Sequence, residues 1–152
     1  MGAITRRFAE AWRGALMKKI ADAGLLIGFL DRLDPHYQWA AGVFETESPP
    51  FYTADAILAE AAAVLGTAAV VLQMVEAGDL VLALDLGQEV SHVRALVQKY
   101  RDRKMDLGDA CCVRMAEMLP GSTVYTVDRA DFTVYRKNGR QPVPCVFPST
   151  QP

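Results

Sequence analysis

The feature that most constrains the fold is an alternation of short apolar runs with longer segments whose apolar residues recur at helical spacing. The clearest short run, residues 80–84, has the length of a strand that is buried in a parallel sheet. Helical segments follow at residues 88–100 and 106–119, the second with Asp106 as its expected cap. Strands that alternate with helices predict βαβ units. We therefore expect an α/β domain, a three-layer α/β/α sandwich with a mainly parallel central sheet.

Local signals predict where several elements begin and end. Asp34-Pro35 combines a capping residue with a proline suited to a first helical turn, and this helix is expected to run to Phe44. Thr53 is expected to cap the next helix, and Ala23-Gly24 to form a turn after the first strand. Proline favours a sheet edge for the last strand. The other predictions are strands at residues 17–22, 51–52, 123–127 and 142–147, and helices that reach residues 30, 64 and 77.

The composition is typical of one globular domain. The chain has 152 residues, of which 51% are hydrophobic and 22% are charged, enough for one sizeable core. Residues 4–16 have amphipathic helical spacing and precede the segments with core character. We therefore divide the chain into an N-terminal helical extension, residues 1–16, and a domain, residues 17–152. The net charge of −2 excludes a globally basic surface, so nucleic acid would have to bind to local basic patches.

Three features favour a cytoplasmic protein. Cys111, Cys112 and Cys145 show no CxxC or Cys/His metal spacing, as expected of reduced cysteines. The N-terminal residues lack the apolar core of a secretory signal. The longest nearly apolar run, residues 61–75, is shorter than the roughly 20 residues that a membrane span needs. We therefore expect a cytoplasmic chain that does not bind a membrane.

Two acidic residues follow predicted strands. Asp22 ends the first strand, and Asp128 follows the strand at residues 123–127. Open parallel sheets bind ligands beyond the carboxyl ends of their strands, where both acids are expected. Either acid taken alone is more typical of a turn or a helix cap, so their shared position is the only argument for a functional role.

Two further acids lie on helix faces that are otherwise apolar. Glu60 shares its face with Ile57 and Val64, where a carboxylate is unfavourable unless something pairs with it. Asp109 shares its face with Cys112, although a position in the first helical turn also explains this acid. We expect the four acids to share a pocket without lysine or arginine, and their mutual repulsion favours a divalent cation. Mg²⁺ prefers such oxygen ligands and can activate water for phosphodiester cleavage.

Four segments carry these acids in an order and context that resemble the acidic motifs of PIN-domain proteins. The resemblance covers residues 17–147 and implies a compact α/β/α nuclease that uses its acids with Mg²⁺ or Mn²⁺ to cut RNA. Many small bacterial members are VapC-type toxins, which are paired with an antitoxin and are often dimeric. The segments are Met17-Lys-Lys-Ile-Ala-Asp22-Ala-Gly, Ile57-Leu-Ala-Glu60, Met105-Asp-Leu-Gly-Asp109-Ala and Thr126-Val-Asp128-Arg-Ala-Asp131-Phe132.

The resemblance implies a role for each acid. Asp22 and Asp109 would hold the metal, whereas Glu60 and Asp128 would be catalytic, completing the pocket and orienting the water that the metal holds. Asp131 resembles an accessory acid of some members. The sequence departs from the family pattern after Asp22, where many members have a hydroxyl residue and this chain has Ala-Gly.

The implied function is that of a metal-dependent endoribonuclease, which hydrolyses RNA phosphodiester bonds as the toxin of a type II toxin–antitoxin pair. The expected partners are the RNA substrate, a cognate antitoxin and a second copy of the chain. A different hypothesis is a PIN-like protein with little catalysis, which acts through a protein partner as a binding or regulatory protein. The intact set of four acids favours the nuclease.

Other candidate residues have plain structural explanations. Basic residues cluster at 99–104 and 129–140, with Tyr100 and Tyr135 between them. This pattern is as typical of a solvated surface as of phosphate contacts on either side of the acid pocket with some base stacking. His36 and His92 are isolated in the sequence. Asp85, after the run at residues 80–84, would suit a phospho-accepting receiver domain, but the acid pair and the lysine of such a domain are not convincing here.

Overall fold

Five short parallel strands form the central sheet of the computed structural model, which describes residues 17–149. In chain order, the strands of the described region are β1 Lys19–Ala21, β2 Phe51–Thr53, β3 Leu80–Leu82, β4 Thr123–Tyr125, β5 Arg136–Lys137, β6 Gln141–Pro142 and β7 Cys145–Val146. The sheet has the order β3-β2-β1-β4-β7, and each neighbouring pair is parallel. β5 and β6 pair as a separate antiparallel hairpin.

Helices flank this sheet, and the predicted three-layer α/β/α sandwich with a parallel central sheet is confirmed. A short 3₁₀ turn at Arg101–Arg103 joins the two longest helices. The α-helices of the described region are α1 Ala23–Leu30, α2 Tyr37–Thr46, α3 Asp55–Leu65, α4 Ala69–Glu76, α5 Leu86–Lys99, α6 Leu107–Met118 and α7 Arg129–Phe132.

The middle of the sheet is its most deeply buried part. Ile20 of β1 is fully buried, as are Phe51 of β2 and Val124 of β4 on its two sides. Removing a side chain of this size from water stabilises the fold by about 1.5–3 kcal/mol. The central strands are therefore held by apolar packing on both faces, which fixes the positions of the residues that follow them.

Two predicted element starts are wrong for local reasons. Ala23-Gly24 is not a turn, because the Asp22 carboxylate accepts a hydrogen bond from the N–H of Ala23 (2.8 Å) and caps α1 there. Asp34-Pro35 precedes α2 instead of opening it. Asp34 Oδ1 accepts the N–H of His36 (2.8 Å), which is the residue at the N-cap of α2. Both aspartates thus bind a nearby backbone amide, but the helices begin at different places from those predicted.

The predictions for Thr53 and for residues 80–84 are also wrong in part. Thr53 lies in β2, where its hydroxyl donates to the carbonyl of Ala21 (3.1 Å), and Ala54 is the N-cap of α3. β3 does form within residues 80–84, but it is an edge strand, and Val81 and Leu82 are exposed.

The C-terminal part of the described chain contains a hairpin that was not predicted. Asn138 (φ 51°) and Gly139 (φ 81°) turn the chain between β5 and β6. An Asn-Gly pair is a strong hairpin signal, because both residues tolerate the left-handed conformation. The strand predicted at residues 142–147 is present as β7 at the edge of the sheet, as its prolines indicate.

The order of the strands reverses at the centre of the sheet. From β1 the chain reaches β2 and then β3 on one side, whereas β4 pairs with β1 on the other side. The backbone N–H of Asp22 donates to the carbonyl of Tyr125 (3.1 Å), so the carboxyl ends of β1 and β4 lie side by side. Ligands of open parallel sheets bind in the crevice at such a reversal.

The helix predicted at residues 4–16, within the extension at residues 1–16, lies outside the described residues. Among the helices formed by residues 17–149, none combines the length and the apolar character that crossing a membrane requires.

Candidate active site

Asp22 is a buried carboxylate held at the end of β1. It is only 7% exposed, and two hydrogen bonds fix it: Oδ1 accepts the N–H of Ala23 (2.8 Å) and Oδ2 accepts the hydroxyl of Thr126 (2.7 Å). Burial raises the pKa of Asp22, and these two bonds oppose the rise without cancelling it. The sequence has no hydroxyl residue directly after Asp22, but Thr126, which follows β4, donates a hydroxyl hydrogen bond to this carboxylate.

Asp109 lies in the first turn of α6, half-buried. Its Oδ2 accepts a hydrogen bond from the hydroxyl of Tyr135 (2.8 Å), a fully buried side chain that packs edge-to-face on Tyr100 and Phe132. Burial raises the pKa of Asp109 to about 8, with smaller contributions from neighbouring carboxylates, while the Tyr135 bond lowers it. The aromatic cluster therefore fixes the carboxylate, and its surroundings disfavour the negative charge.

Asp106 caps the same helix, as expected, because its Oδ1 accepts the N–H of Asp109 (2.7 Å). It also lines the cleft that contains the other acids, which the sequence did not predict. Its negative charge is among the causes that raise the pKa values of Asp22, Glu60 and Asp128. Asp106 therefore both caps α6 and contributes negative charge to the site.

Asp128 caps α7 beside the carboxyl end of β4. Its Oδ1 accepts the N–H of Asp131 (3.0 Å), and its own N–H donates to the hydroxyl of Thr126 (3.1 Å). Partial burial and the charge of Asp131 raise the pKa of Asp128. One oxygen from each of Asp109, Asp128 and Asp131 can be chosen so that all three lie within 4.8 Å of one another. Asp131 forms an ion pair with Arg103 (Oδ1–Nη2 3.0 Å).

Glu60 was expected on a buried face with Ile57 and Val64, and this expectation is wrong. Ile57 is fully buried, but Val64 is 63% exposed and Glu60 itself is exposed. The buried face of α3 is instead formed by Ile57, Leu58 and Ala61. Glu60 nevertheless lines the same cleft as the other acids. Although the residue as a whole is exposed, its carboxyl group is partly desolvated. This desolvation and the charges of Asp22 and Asp106 raise the pKa of Glu60.

Two glycines bring the acid-bearing segments close together. A Cβ at Gly108 would lie 3.0 Å from Glu60 Oε2, so the missing side chain leaves room for this carboxylate beside the start of α6. A Cβ at Gly24 would lie 2.5 Å from Cγ2 of Val127, a distance that real contacts do not reach. Gly24 therefore allows the start of α1 to pack against the segment that carries Asp128.

Together these side chains form one acidic cleft at the strand reversal, with a volume of about 340 Å³. The four predicted acids, Asp22, Glu60, Asp109 and Asp128, all line it, but the group of three acids that the described residues bring within 4.8 Å of one another consists of Asp109, Asp128 and Asp131. Neither lysine nor arginine occurs among its described lining residues. Two of these acids, Asp22 and Asp109, are buried or half-buried and have raised pKa values. Carboxylate oxygens are hard ligands, and a cluster of them without a lysine or arginine suits a divalent cation such as Mg²⁺. Its acidic lining residues are Asp22, Asp34, Glu60, Asp106, Asp109 and Asp128.

Basic residues from both clusters of the sequence form one surface next to this cleft. Lys99 Nζ donates to the carbonyl of Gly139 (3.3 Å), and the hydroxyl of Tyr100 accepts the N–H of Arg136 (2.8 Å). The hairpin thus packs beside the end of α5 and the 3₁₀ turn, and the Arg103 ion pair joins this surface to the cleft. We call it the basic surface. Its exposed cations are Lys99, Arg101, Arg103, Lys104 and Arg140, with Lys137 partly exposed.

The sequence does not predict the contacts that Thr126, Tyr135 and Arg103 make with acids of the site. Each contacts an acid that is distant in sequence, and no spacing rule links such pairs. Asp85, in contrast, lies in a separate groove, where its carboxylate accepts the N–H of Gly87 (3.0 Å) and caps α5. Its position is explained by capping.

Neither the family models nor the curated proteins with which the sequence was compared gave a match. The resemblance to PIN-domain proteins therefore rests on the four acidic motifs of the sequence.

Proposed function

We propose that this protein is a Mg²⁺- or Mn²⁺-dependent endoribonuclease that hydrolyses RNA phosphodiester bonds at the acidic cleft. One observation carries the proposal: carboxylates from five separate chain segments line a cleft at the strand reversal, and the described lining contains no lysine or arginine. A fold gains no stability from assembling uncompensated carboxylates, since their repulsion and desolvation disfavour the ionised state. Such a cluster is therefore best explained by a ligand that brings positive charge.

The proposed role of each acid follows from how its side chain is held. Asp22 and Asp109 are held by hydroxyl groups and would bind the cation. Glu60 is exposed at the cleft and, with Asp128, would orient the attacking water and accept its proton. When bound, the cation supplies positive charge for the phosphate oxygens and favours ionisation of water. The acids are thus divided into two that bind and two that act on water.

RNA is the substrate that the surroundings of the cleft favour. The chain is slightly acidic overall, but the basic surface lies beside the cleft and connects to it through the ion pair of Arg103 and Asp131. Phosphates of a strand bound on this surface would approach the acids without requiring a globally basic protein. Tyr100 and Tyr135 pack inside the fold, so they do not provide the base stacking that their position between basic residues suggested.

We further propose that the enzyme is the toxin of a cytoplasmic toxin–antitoxin pair, with a cognate antitoxin and a second copy of the chain as partners. Exposed apolar side chains on edge strand β3 and at the start of α5 support a protein partner. Leu82 and Leu86 line one shallow groove there. The alternative, a binding or regulatory protein with little catalysis, would use the same surface without cleaving RNA.

A cleavage assay distinguishes the two functions. Structured and single-stranded RNAs are incubated with the full chain in Mg²⁺, in Mn²⁺ and in EDTA, and the products are resolved by length. We expect internal cuts that require the cation and that are lost in the Asp22→Asn variant. Equal products from the wild type, from Asp22→Asn and from the EDTA sample would reveal a contaminating nuclease and contradict the proposal. An absence of products in every metal would favour the binding protein.

A further inference from the structure

A second groove, of about 760 Å³, adjoins the acidic cleft. Trp39 of α2 and Phe147, which follows β7, supply its aromatic side chains, and Arg129 and Gln38 supply polar groups. Trp39 and Phe147 are partly buried and pack against the core, which restricts their motion. We call this the aromatic groove. It is not needed by the proposed chemistry of the acids, and none of the four acids lines it.

Arg129 is held in a defined position within the aromatic groove. Its guanidinium lies over the ring of Phe147, with Cζ 4.6 Å from the ring centroid, and Nη2 donates to the carbonyl of Pro148 (3.0 Å). A guanidinium has five N–H donors in a planar array. The other donors therefore remain suited to a phosphate or to the polar edge of a base, and the aromatic ring beneath keeps the cation in place.

The aromatic groove is continuous with the acidic cleft. His36 and Val127 line both of them, and Asp128 of the cleft is followed directly by Arg129 of the groove. A ligand with a phosphate at the acids would therefore extend its neighbouring part into the groove. The combination of flat aromatic surface, a fixed cation and an amide matches a nucleotide, which has an anionic phosphate and a planar base with hydrogen-bonding edges.

We propose that the aromatic groove binds the base of the nucleotide adjacent to the scissile phosphate of single-stranded RNA, with Arg129 contacting that nucleotide. This inference rests on the proposed ribonuclease function, which it extends to the recognition of the substrate. Trp39 contacts the base, Phe147 holds the Arg129 guanidinium in place, and Gln38 can read the polar edge of the base. The groove thereby favours unpaired RNA, because a base inside a duplex is already stacked on its neighbours and cannot enter.

The chain offers a direct probe of this contact, since it contains only two tryptophans, Trp12 and Trp39. In a Trp12→Phe background, all tryptophan emission comes from Trp39. This protein is titrated in EDTA, where cleavage is blocked, with uridine and adenosine 5′-monophosphates and with a single-stranded RNA hexamer. We expect saturable quenching of Trp39, at lower concentrations for the hexamer.

Variants of the groove are then compared in the same background. We expect Arg129→Ala to weaken hexamer binding about tenfold or more, as for the loss of one stacked base. Phe147→Leu is expected to weaken binding as well, because it removes the ring that holds the Arg129 guanidinium in place. Arg94→Ala removes an equal charge from an exposed position on α5, outside the groove, and is expected to bind within about threefold of its parent. Thermal melting checks that every variant is folded. Arg129 is exposed, so its variant remains informative if Phe147→Leu is unstable.

The outcomes separate this inference from the function on which it rests. Absence of Trp39 quenching by all three probes, or equal binding by Arg129→Ala and Arg94→Ala, overturns the aromatic groove as a base site. Quenching by an apolar peptide in place of RNA overturns it in favour of a protein-binding groove. Cleavage in Mg²⁺ is measured separately. Cleavage without quenching would support the ribonuclease function and refute the aromatic groove as a base site. Quenching without cleavage would support nucleotide binding in the groove and refute the ribonuclease function.

Discussion

The acids of the cleft form two pairs that differ in how their carboxylates are held. Asp22 and Asp109 are buried or half-buried, and each accepts a hydrogen bond from a hydroxyl group, that of Thr126 or of Tyr135. In the second pair, Glu60 is exposed, and Asp128 is fixed mainly through its cap on α7. Fixed, desolvated carboxylates are suited to binding a cation, whereas accessible ones are suited to exchanging protons with water.

The largest expected difference is between Asp22→Asn and Glu60→Gln. We expect Asp22→Asn to lower both Mn²⁺ affinity and RNA cleavage, the latter about 1,000-fold, because the cation and its electrostatic contribution are lost together. Glu60→Gln is expected to lower cleavage about 100-fold, as for the loss of a general base, with Mn²⁺ affinity within about threefold of wild type. Calorimetry and single-turnover cleavage measure the two quantities.

Asp85→Asn is the matched control for these variants, because it changes an aspartate that caps a helix outside the cleft. It should leave Mn²⁺ affinity and cleavage unchanged. If Glu60→Gln lost Mn²⁺ affinity as severely as Asp22→Asn, the division of the acids into a binding pair and a proton-exchanging pair would be wrong.

The dependence of stability on pH provides the next largest effect. The pKa of Asp109 is raised from 3.8 to about 8 by burial. A carboxyl group with a raised pKa stabilises the fold fully below its unfolded value, and this contribution is lost as the pH rises through the folded value. The metal-free protein should therefore lose stability between about pH 4 and pH 8. Mg²⁺ binds the ionised form, so its stabilising effect should increase over the same range.

Melting temperatures in EDTA and in Mg²⁺ test this expectation. One pKa unit corresponds to about 1.4 kcal/mol, and 1 kcal/mol shifts the Tm of a domain of this size by about 2–4 °C. Solvent screening reduces the effect at this partly exposed site, so we expect the wild-type Tm in EDTA to fall at least about 3 °C further with pH than that of Asp109→Asn. Parallel pH profiles for the two proteins would contradict the assignment of the shift to Asp109.

The hydroxyl donors should have a smaller effect. We expect Thr126→Val and Tyr135→Phe to weaken Mn²⁺ binding about tenfold each, because residues that orient metal ligands typically contribute 10–100-fold to affinity. Thr133→Val is the control, since its hydroxyl donates to the carbonyl of Arg129 (2.8 Å) at the end of α7. Mn²⁺ titration of the three variants gives the comparison. Unchanged affinity in Thr126→Val and Tyr135→Phe would show that the fixing of Asp22 and Asp109 is unrelated to a cation.

Asp131 should contribute least, because Arg103 already neutralises it. A surface ion pair of this kind contributes about 0–1 kcal/mol. We therefore expect Asp131→Asn to lower the Tm by less than about 4 °C and to keep Mn²⁺ affinity within about threefold of wild type. A tenfold loss of affinity would instead make Asp131 a ligand together with Asp109 and Asp128.

How far the sequence predicts this molecule depends on the range of the interactions. The alternation of strands and helices predicts the sandwich, and the positions of Asp22 and Asp128 follow from it, because strand ends meet at one edge of a parallel sheet. Glu60 was found for the wrong reason: helical spacing alone does not show which side of α3 faces the core. Its place at the cleft depends on how α3 packs beside α6.

The remaining parts of the site depend on contacts between distant residues. Thr126 and Asp22 are separated by 104 positions, and Tyr135 and Asp109 by 26, so neither bond has a local signature. The hairpin at Asn138-Gly139 is different, since its dipeptide signal is local. That hairpin brings Arg136, Lys137 and Arg140 of the second basic cluster beside the first, so basic residues that were expected on either side of the pocket form one surface.

Direct measurement of Mn²⁺ binding tests the central claim, that the acidic cleft is a cation site. Free Mn²⁺ can be followed by electron paramagnetic resonance while the wild type, Asp22→Asn, Asp109→Asn and the Asp85→Asn control are titrated at about pH 7.5. We predict saturable binding by the wild type and the control, weakened at least about tenfold in both cleft variants. Equal binding by all four proteins, or none by the wild type, would contradict the account.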